Sequence, residues 1–364
     1  MAGPQFTSLP RISSPLKAPA QQHDGPVALA GDEYPPCALC EGTETVPLVR
    51  RKGYQVVRCA TCCLVYVSPR PRSQEQIDAL YTKEDYSGPQ ITHALHAQRM
   101  QEARWRLDQV EKHAPNRGRL LDVGCSAGSF LLVARERGWD VHGMDVSPAV
   151  VEYNASAHGL DTRVGTVERS PFEAGTFDVV TLFECIEHML HPGAALVAVR
   201  QLLREGGLLV MTTPNIDGLV PRTTYQLLGR TIGAWEHPTP PHHLYQFSRR
   251  TLGALLKKSG FEVMSSATRP MGLSFTVKQL QSAVLESMKR VGGSTAAVET
   301  APAAPRNHAT DRSKPSLSKW VNKAARRTVR AVVGGFCWAL TLPLYAVPVR
   351  SLGAGDSMII VARK

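Results

Sequence analysis

The sequence predicts an α/β protein, a doubly wound and mostly parallel sheet with helices on both faces, preceded by a small metal-binding module. Three observations carry this. From Arg119 onward, short apolar runs alternate with stretches of helical periodicity, the pattern of strands joined by crossover helices. The first of those runs breaks into a glycine loop, LLDVGCSAGSF at 120–130, at the place where an open α/β sheet binds ligands. Ahead of both, Cys37, Cys40, Cys59 and Cys62 form two C-x2-C pairs. A chain of 364 residues with 43% hydrophobic content is long enough for one such domain plus an accessory unit.

Residues 1–33 are rich in Pro, Ser, Gln and Ala with little apolar periodicity, and predict a disordered tail. Residues 34–72 hold the cysteine module. Its spacing, Cys37-x2-Cys40-x18-Cys59-x2-Cys62, suits tetrahedral zinc, each knuckle supplying two thiolates and the hairpin between them bringing the pairs together. Four protein ligands leave no open position, so the expected metal is structural. Cys63 follows directly and competes with Cys62 for the fourth place. Cys125, Cys185 and Cys337 lie scattered elsewhere, a distribution that points to a local metal site in a reducing compartment and not to a disulfide framework. Residues 73–118 read as a helical connector, opened by Ser73 and Gln76 in the arrangement of a capping box.

The core occupies 119–269, with strands expected at 119–123, 140–144, 161–164, 177–183, 207–213 and 261–266. The rhythm then fails. Residues 270–353 form an insertion that contains a Gly/Ala/Pro/Thr-rich linker at 292–315, and DSMIIVARK makes 354–364 the last strand of the core.

Within the glycine loop, Gly124 and Gly128 let the backbone approach a ligand, and Asp122 closes the strand. The spacing G-x-x-x-G lacks both the G-x-G-x-x-G of dinucleotide sites and the Gly-Lys-Ser/Thr of a P-loop. Asp145, in HGMDVS, ends the second strand, where a carboxylate can accept two hydrogen bonds from ribose hydroxyls. An acid, two glycines and a ribose carboxylate make a nucleoside site without a pyrophosphate cradle.

At this point the sequence resembles the class I S-adenosylmethionine-dependent methyltransferases, over about residues 119–269 plus the terminal strand. FDVVTLFECIEHMLHP (177–192) and LLVMTTPN (208–215) follow at the family's places. The resemblance implies a seven-stranded Rossmann-like sheet and S-adenosylmethionine as cofactor. It sets Asp122, Gly124 and Gly128 against the methionine part, Asp145 at the ribose, Thr166, Val167 and Glu168 over the adenine, and Phe183 and Glu184 along the methyl end. RCATCCLVYVSPRPR resembles the amino-terminal zinc ribbon of bacterial methyltransferases of glycan and sugar-modifying pathways, in which a glycine often stands where this chain has Cys63.

Methyl transfer from a sulfonium already has a good leaving group, so catalysis comes chiefly from positioning. For a hydroxyl acceptor, a group titrating near neutrality should take the proton, and histidine is the natural choice. His188, after the fourth strand, is one candidate, with capping of the next helix as its alternative role. His242 and His243, in PPHHLYQFS, resemble the His-x-x-x-Phe-Ser segment on the substrate side of related bacterial enzymes. No Asn/Asp-Pro-Pro-Tyr/Phe follows the fourth strand, which weighs against amide or nucleobase methylation.

Arg312, Lys314, Lys319, Lys323, Arg326, Arg327 and Arg330 are followed by AVVGGFCWALTLPLYAVPV (331–349), a run without charge. Its length approaches the roughly 20 residues of a membrane span. A terminal strand paired beside 261–266 would, however, return both ends to one side, and Pro343 and Pro348 interrupt a straight helix. The segment 312–350 is therefore expected to lie against an anionic membrane, with Trp320 and Trp338 near the interface; a lid or a dimer contact is the alternative. The net charge of +11 suits an anionic partner.

No charged segment followed by an apolar run opens the chain, so the cytoplasm is the expected compartment, with attachment at the inner face of the plasma membrane. The expected activity is methylation of a sugar hydroxyl on a glycan, nucleotide-sugar or lipid-linked precursor. The alternatives are methylation of RNA, using the ribbon and the basic charge, and a non-catalytic scaffold that binds S-adenosylmethionine.

Overall fold

A computed structural model describes residues 33–51, 54–73, 76, 93–232, 235, 237–240, 242–270, 272–292, 329, 331–343 and 354–364. The expected tail over 1–33 lies outside the described residues except for Glu33, which is not loose but bridges to Arg70, its N–H donating to Arg70 O at 2.9 Å. The linker past Gly292, most of the basic run and the end of the apolar run also lie outside the described residues.

The described chain begins with a hairpin, β1 (Thr45–Arg51) and β2 (Tyr54–Cys59), and a short strand β3 (Val65–Val67). Ser73 and Gln76 bond reciprocally, Gln76 N–H to Ser73 Oγ at 3.3 Å and Ser73 N–H to Gln76 Oε1 at 3.4 Å, and helix α1 (His93–Glu111) follows. The core then runs β4 (Arg119–Val123), α2 (Ser129–Glu136), β5 (Asp140–Asp145), α3 (Pro148–His158), β6 (Asp161–Val164), β7 (Phe177–Phe183), α4 (Pro192–Leu202) and β8 (Leu203–Pro214). After α5 (Leu219–Thr224) come β9 (Tyr245–Gln246), α6 (Arg249–Lys258), β10 (Glu262–Arg269), α7 (Leu273–Gly292), a helix over 331–343 that we number α8, and β11 (Ser357–Arg363).

Seven strands form one sheet in the order β10-β11-β8-β7-β4-β5-β6. β4 through β8 are parallel, and β11 alone runs against its neighbours, wedged between β8 and β10. This is the mostly parallel, doubly wound sheet that the alternating runs predict. The strands at its centre are buried on both faces, which is why they read as unbroken apolar runs. Alternate residues supply two cores. Leu121, Val123, Val180 and Leu182 face α4 and α6, while Leu120 and Val179 face α1 and α2.

Strand ends differ from the sequence reading where pairing, invisible locally, extends them. β8 begins at Leu203 and β10 runs on to Arg269, which pairs with Ser357 at the start of β11. β5 includes Asp145, whose register partner is Val164.

The cysteine module is joined to this core. Its sheet is four-stranded, β1-β2-β3-β9, and the last strand comes from the segment carrying His242 and His243: Val65 pairs with Gln246 and Tyr66 with Tyr245. Cys37, Leu64 and Tyr66 share a buried cluster with Leu252 and Leu255 of α6. Arg250 donates to Cys62 O at 2.8 Å and Lys258 to Glu41 at 2.8 Å, closing the rim.

The insertion leaves β10 and returns to β11 at one edge of the sheet, so its two ends lie on one side. Its return is fastened to the loop after β8: Asn215 N–H donates to Asp356 O at 2.7 Å and its side chain to Gly355 O at 2.8 Å. Val277, Leu280 and Val284 of α7 pack on Val333 and Cys337 of α8. Among the described residues no helix is long and apolar enough to cross a membrane.

Candidate functional site

The strand order reverses around β4, with β5 on one side and β7 on the other, and the carboxyl ends of these strands are where an open α/β sheet forms its ligand crevice. The loop after β4 enters α2 through Gly124 and Gly128, both left-handed at φ 71° and 73°. Neither has room for a side chain. A Cβ on Gly124 would sit 2.4 Å from Cys185 Sγ, and one on Gly128 2.7 Å from both Asn154 Oδ1 and Leu160 Cδ1. The amides of Gly124 and Cys125 both donate to Met144 O, at 2.7 and 3.2 Å, stitching the loop to the end of β5.

Asp145 completes the stitch. Its Oδ2 accepts the Ser126 amide and its Oδ1 the Ser147 amide, each at 3.0 Å, which holds the carboxylate beside the glycine loop. Ser147 then caps α3 by accepting Val150 N–H, with Pro148 in the first turn.

Asp122 stands apart from these. It is buried, accepts the Thr181 hydroxyl at 2.6 Å across the β4–β7 pair, and burial pushes its carboxyl up to about 7. Phe183 is packed edge-on against Phe130 at 4.8 Å with the Arg106 guanidinium 4.8 Å from its ring. Past β6, Val167 is buried and Glu168 exposed, in a turn where the Thr166 hydroxyl accepts Arg169 N–H. Glu184 follows β7 directly in a left-handed conformation, φ 54°, a strained position for a residue with a side chain.

His188 lies on the turn after β7, and His243 just before β9. Their rings meet edge to face, centroids 4.7 Å apart. His188 Nδ1 donates to His242 O at 2.8 Å; a carbonyl only accepts, so the Nδ1 carries the proton. His242 therefore contributes its backbone to the pair. A further bond, Leu244 N–H to Glu187 O at 2.8 Å, ties the two segments together. Burial lowers His188 to about 4 and holds His243 well below the ordinary imidazole value, so both rings are neutral.

Glu187 lies beneath them, fully buried. Its Oε2 accepts the Thr213 hydroxyl at 2.9 Å, and its Oε1, 3.9 Å from His188 Nε2, makes no hydrogen bond; neither does His243 Nδ1. Burial and the neighbouring Glu184 carboxylate raise the Glu187 carboxyl well above its usual range. Glu187, His188 and His243 each offer a ligand atom, all within 4.8 Å of one another. Such a cluster can take a proton from an acceptor, or hold a divalent cation on two imidazoles and a carboxylate.

Residues 95–266 match a family profile described as a methyltransferase domain. A ubiquinone biosynthesis O-methyltransferase of Nitrosococcus oceani is 34% identical over 173 residues, a stretch that covers 44% of this chain and 70% of that protein. This chain belongs to the class I S-adenosylmethionine-dependent methyltransferases. A ubiquinone biosynthesis O-methyltransferase of Xanthomonas axonopodis pv. citri is 33% identical over 193 residues, 49% of this chain and 75% of that one. Among solved structures, an S-adenosylmethionine-dependent methyltransferase from Archaeoglobus fulgidus aligns with a TM-score of 0.42 at 15% identity, over 73% of this chain and 94% of that one.

The methyltransferase loop fits its cofactor: a cradle closed to any Cβ, beside a carboxylate already oriented by two amides. The four cysteines of the amino-terminal module also converge. Cys37 and Cys62 Sγ are 3.4 Å apart, as are Cys40 and Cys59 Sγ, and all four lie within 4.8 Å of one another. The geometry separates the two candidates for the fourth place, because Cys62 is in the cluster and Cys63 is exposed, in a left-handed turn at φ 63°. That conformation is one that glycine adopts more readily than cysteine.

The sequence reading noted Glu187 only as the neighbour of His188, with no role of its own, and missed Thr213. A carboxylate inside the largely apolar FECIEHML run, directly before a candidate histidine, was the signal for Glu187. Nothing local marks Thr213, which meets Glu187 only because β8 lies beside β7.

Proposed function

We propose that this methyltransferase transfers the methyl group of S-adenosylmethionine to a hydroxyl oxygen, at the cluster of His188, His243 and Glu187. The observation that carries the reading is the convergence, just past the carboxyl end of β7, of two neutral imidazoles beside the buried Glu187 carboxyl. Gly124 and Gly128 would hold the methionine part, Asp145 the ribose, Val167 and Glu168 the adenine, and Phe183 and Glu184 the methyl end, while Asp122 braces the loop from within the sheet. When bound, the cofactor supplies an electrophilic methyl on a positively charged sulfur. His243 accepts the hydroxyl proton; His188, its Nδ1 fixed on His242 O, orients the pair.

The printed names of the relatives, O-methyltransferases, support a hydroxyl acceptor. The ribbon supports a sugar hydroxyl on a glycan, nucleotide-sugar or lipid-linked precursor, and the relatives' role in ubiquinone biosynthesis supports a ring hydroxyl of a quinone precursor. Zinc is proposed at Cys37, Cys40, Cys59 and Cys62, on the ligand spacing and the sulfur geometry.

The test is transfer of a labelled methyl group into an extract separated into lipid, quinone, glycan, nucleotide-sugar, RNA and protein. Label in the lipid, quinone, glycan or nucleotide-sugar fraction, carried on oxygen, supports the reading; label carried on nitrogen or carbon overturns the hydroxyl acceptor, and label in RNA or protein overturns the small-molecule acceptor. His243→Ala is expected to lower turnover by about 10²–10⁴-fold, the usual share of a general base, with cofactor affinity retained. Full turnover in that variant removes the base role.

The unpaired Glu187 Oε1 and His243 Nδ1 favour a second reading, in which a divalent cation on the cluster acidifies the hydroxyl. Under it, added Mn²⁺ raises the rate of the intact chain and not that of Glu187→Gln. Equal response in both discards the cation.

A further inference from the structure

α8 is apolar all round, yet only one side of it is covered. Val333, Cys337 and Thr341 turn inward to α7. Val332 (67% exposed), Phe336 (51%) and Leu342 (54%) stand exposed with Trp338 on the remaining arc of the helix. The helix carries no charge between Ala331 and Pro343 to satisfy water there. A helix with an apolar stripe toward its own protein and a second one toward solvent needs a second apolar phase.

We infer that this outer face of α8 docks in the headgroup boundary of an anionic membrane. Charge selects this occupant. From Arg312 to Gly355 the sequence contains no acidic residue, and Lys319, Lys323, Arg326, Arg327 and Arg330 lead directly into the helix. A basic run that precedes, in sequence, a broad exposed apolar arc with Phe336 at one margin and Trp338 at the other fits a lipid surface, whose anionic headgroups suit the charge and whose acyl boundary suits the rings. The placement also has a use. The insertion springs from and returns to the carboxyl edge of the sheet, through Arg269 and Ser357, and is fastened at Asn215. That is the edge carrying the crevice, so docking brings the acceptor side of the enzyme to the bilayer. Binding itself does not depend on which acceptor is methylated.

The experiment is flotation of the full chain with vesicles of phosphatidylcholine alone and of phosphatidylcholine mixed with phosphatidylglycerol. The wild type is expected to float with the mixed vesicles, less so as salt is raised. Phe336→Asp combined with Trp338→Asp is expected to lower partitioning by about tenfold or more, as two side chains leave the acyl boundary. The milder pair Val332→Ser and Leu342→Ser should lower it in the same direction. Unchanged cofactor affinity by calorimetry shows that each variant is folded and keeps this result separate from the methyl-transfer assay. Flotation equal in wild type and variants, or no flotation of the wild type, overturns the inference. So does a dimer in solution that the same substitutions split, which would assign the face to a second copy of the chain.

Discussion

Cys37→Ser is expected to abolish metal retention and to cost most of the methyl transfer, although Cys37 lies far along the chain from the histidines. Structural zinc contributes on the order of 10–16 kcal/mol in small zinc modules, more than the stability of an ordinary domain, so losing one of four thiolates unravels the module. The consequence reaches the histidine pair through the shared sheet. β3 pairs with β9, Val67 N–H donates to Leu244 O at 2.9 Å, and Leu244 N–H donates to Glu187 O at 2.8 Å. Buried Arg70, just past β3, adds a second tie by bonding both Leu190 O, at 2.8 Å, and the Tyr245 hydroxyl. The glycine loop and Asp145 belong to β4 and β5, outside this network, so cofactor affinity should survive. Elemental analysis reads the metal, and hydrogen exchange at 55–67 and 244–247 reads the coupling. A wild-type chain without bound metal sinks the zinc assignment; full protection of 244–247 in the variant sinks the coupling.

Asp145→Ala is expected to weaken S-adenosylmethionine binding by about two to four orders of magnitude. Hydrogen bonds to a charged group contribute roughly 1.5–3 kcal/mol each, and the ribose would offer two. Part of the loss would arise before any ligand arrives, because the Ser126 and Ser147 amides both depend on this carboxylate and the glycine loop would lose its anchor. Asp145→Asn separates the effects, since its single carbonyl oxygen keeps at most one of the two backbone bonds. Calorimetry with S-adenosylmethionine measures both variants. Wild-type affinity in Asp145→Ala would remove Asp145 from the cofactor site.

The α/β core was legible because each of its strands is decided by residues adjacent in sequence. A strand buried on both faces must be an apolar run, as in LLDV, FDVVTLF and LLVMTT, and a loop that crosses at left-handed φ against Cys185 and Asn154 must be glycine. The two C-x2-C knuckles are likewise local, each being a turn that sets two sulfurs side by side. These features require no knowledge of what lies across the molecule.

What only the tertiary structure decided are the meetings between distant segments. A two-residue strand such as Tyr245–Gln246 has no period to read, yet it joins the cysteine module to the site. His188 and His243 become one cluster because the turn after β7 and the approach to β9 are bonded through His242 O and Leu244 N, and Glu187 acquires its raised carboxyl from burial under them. The final strand slips between β8 and β10 against the direction of both, which no pattern within DSMIIVARK prescribes. For the run at 331–349, sequence shows that it is apolar throughout, while packing against α7 determines which side is covered and which is left for a partner. Periodicity reports the environment of a residue along its own element; which elements share that environment is a property of the whole folded chain.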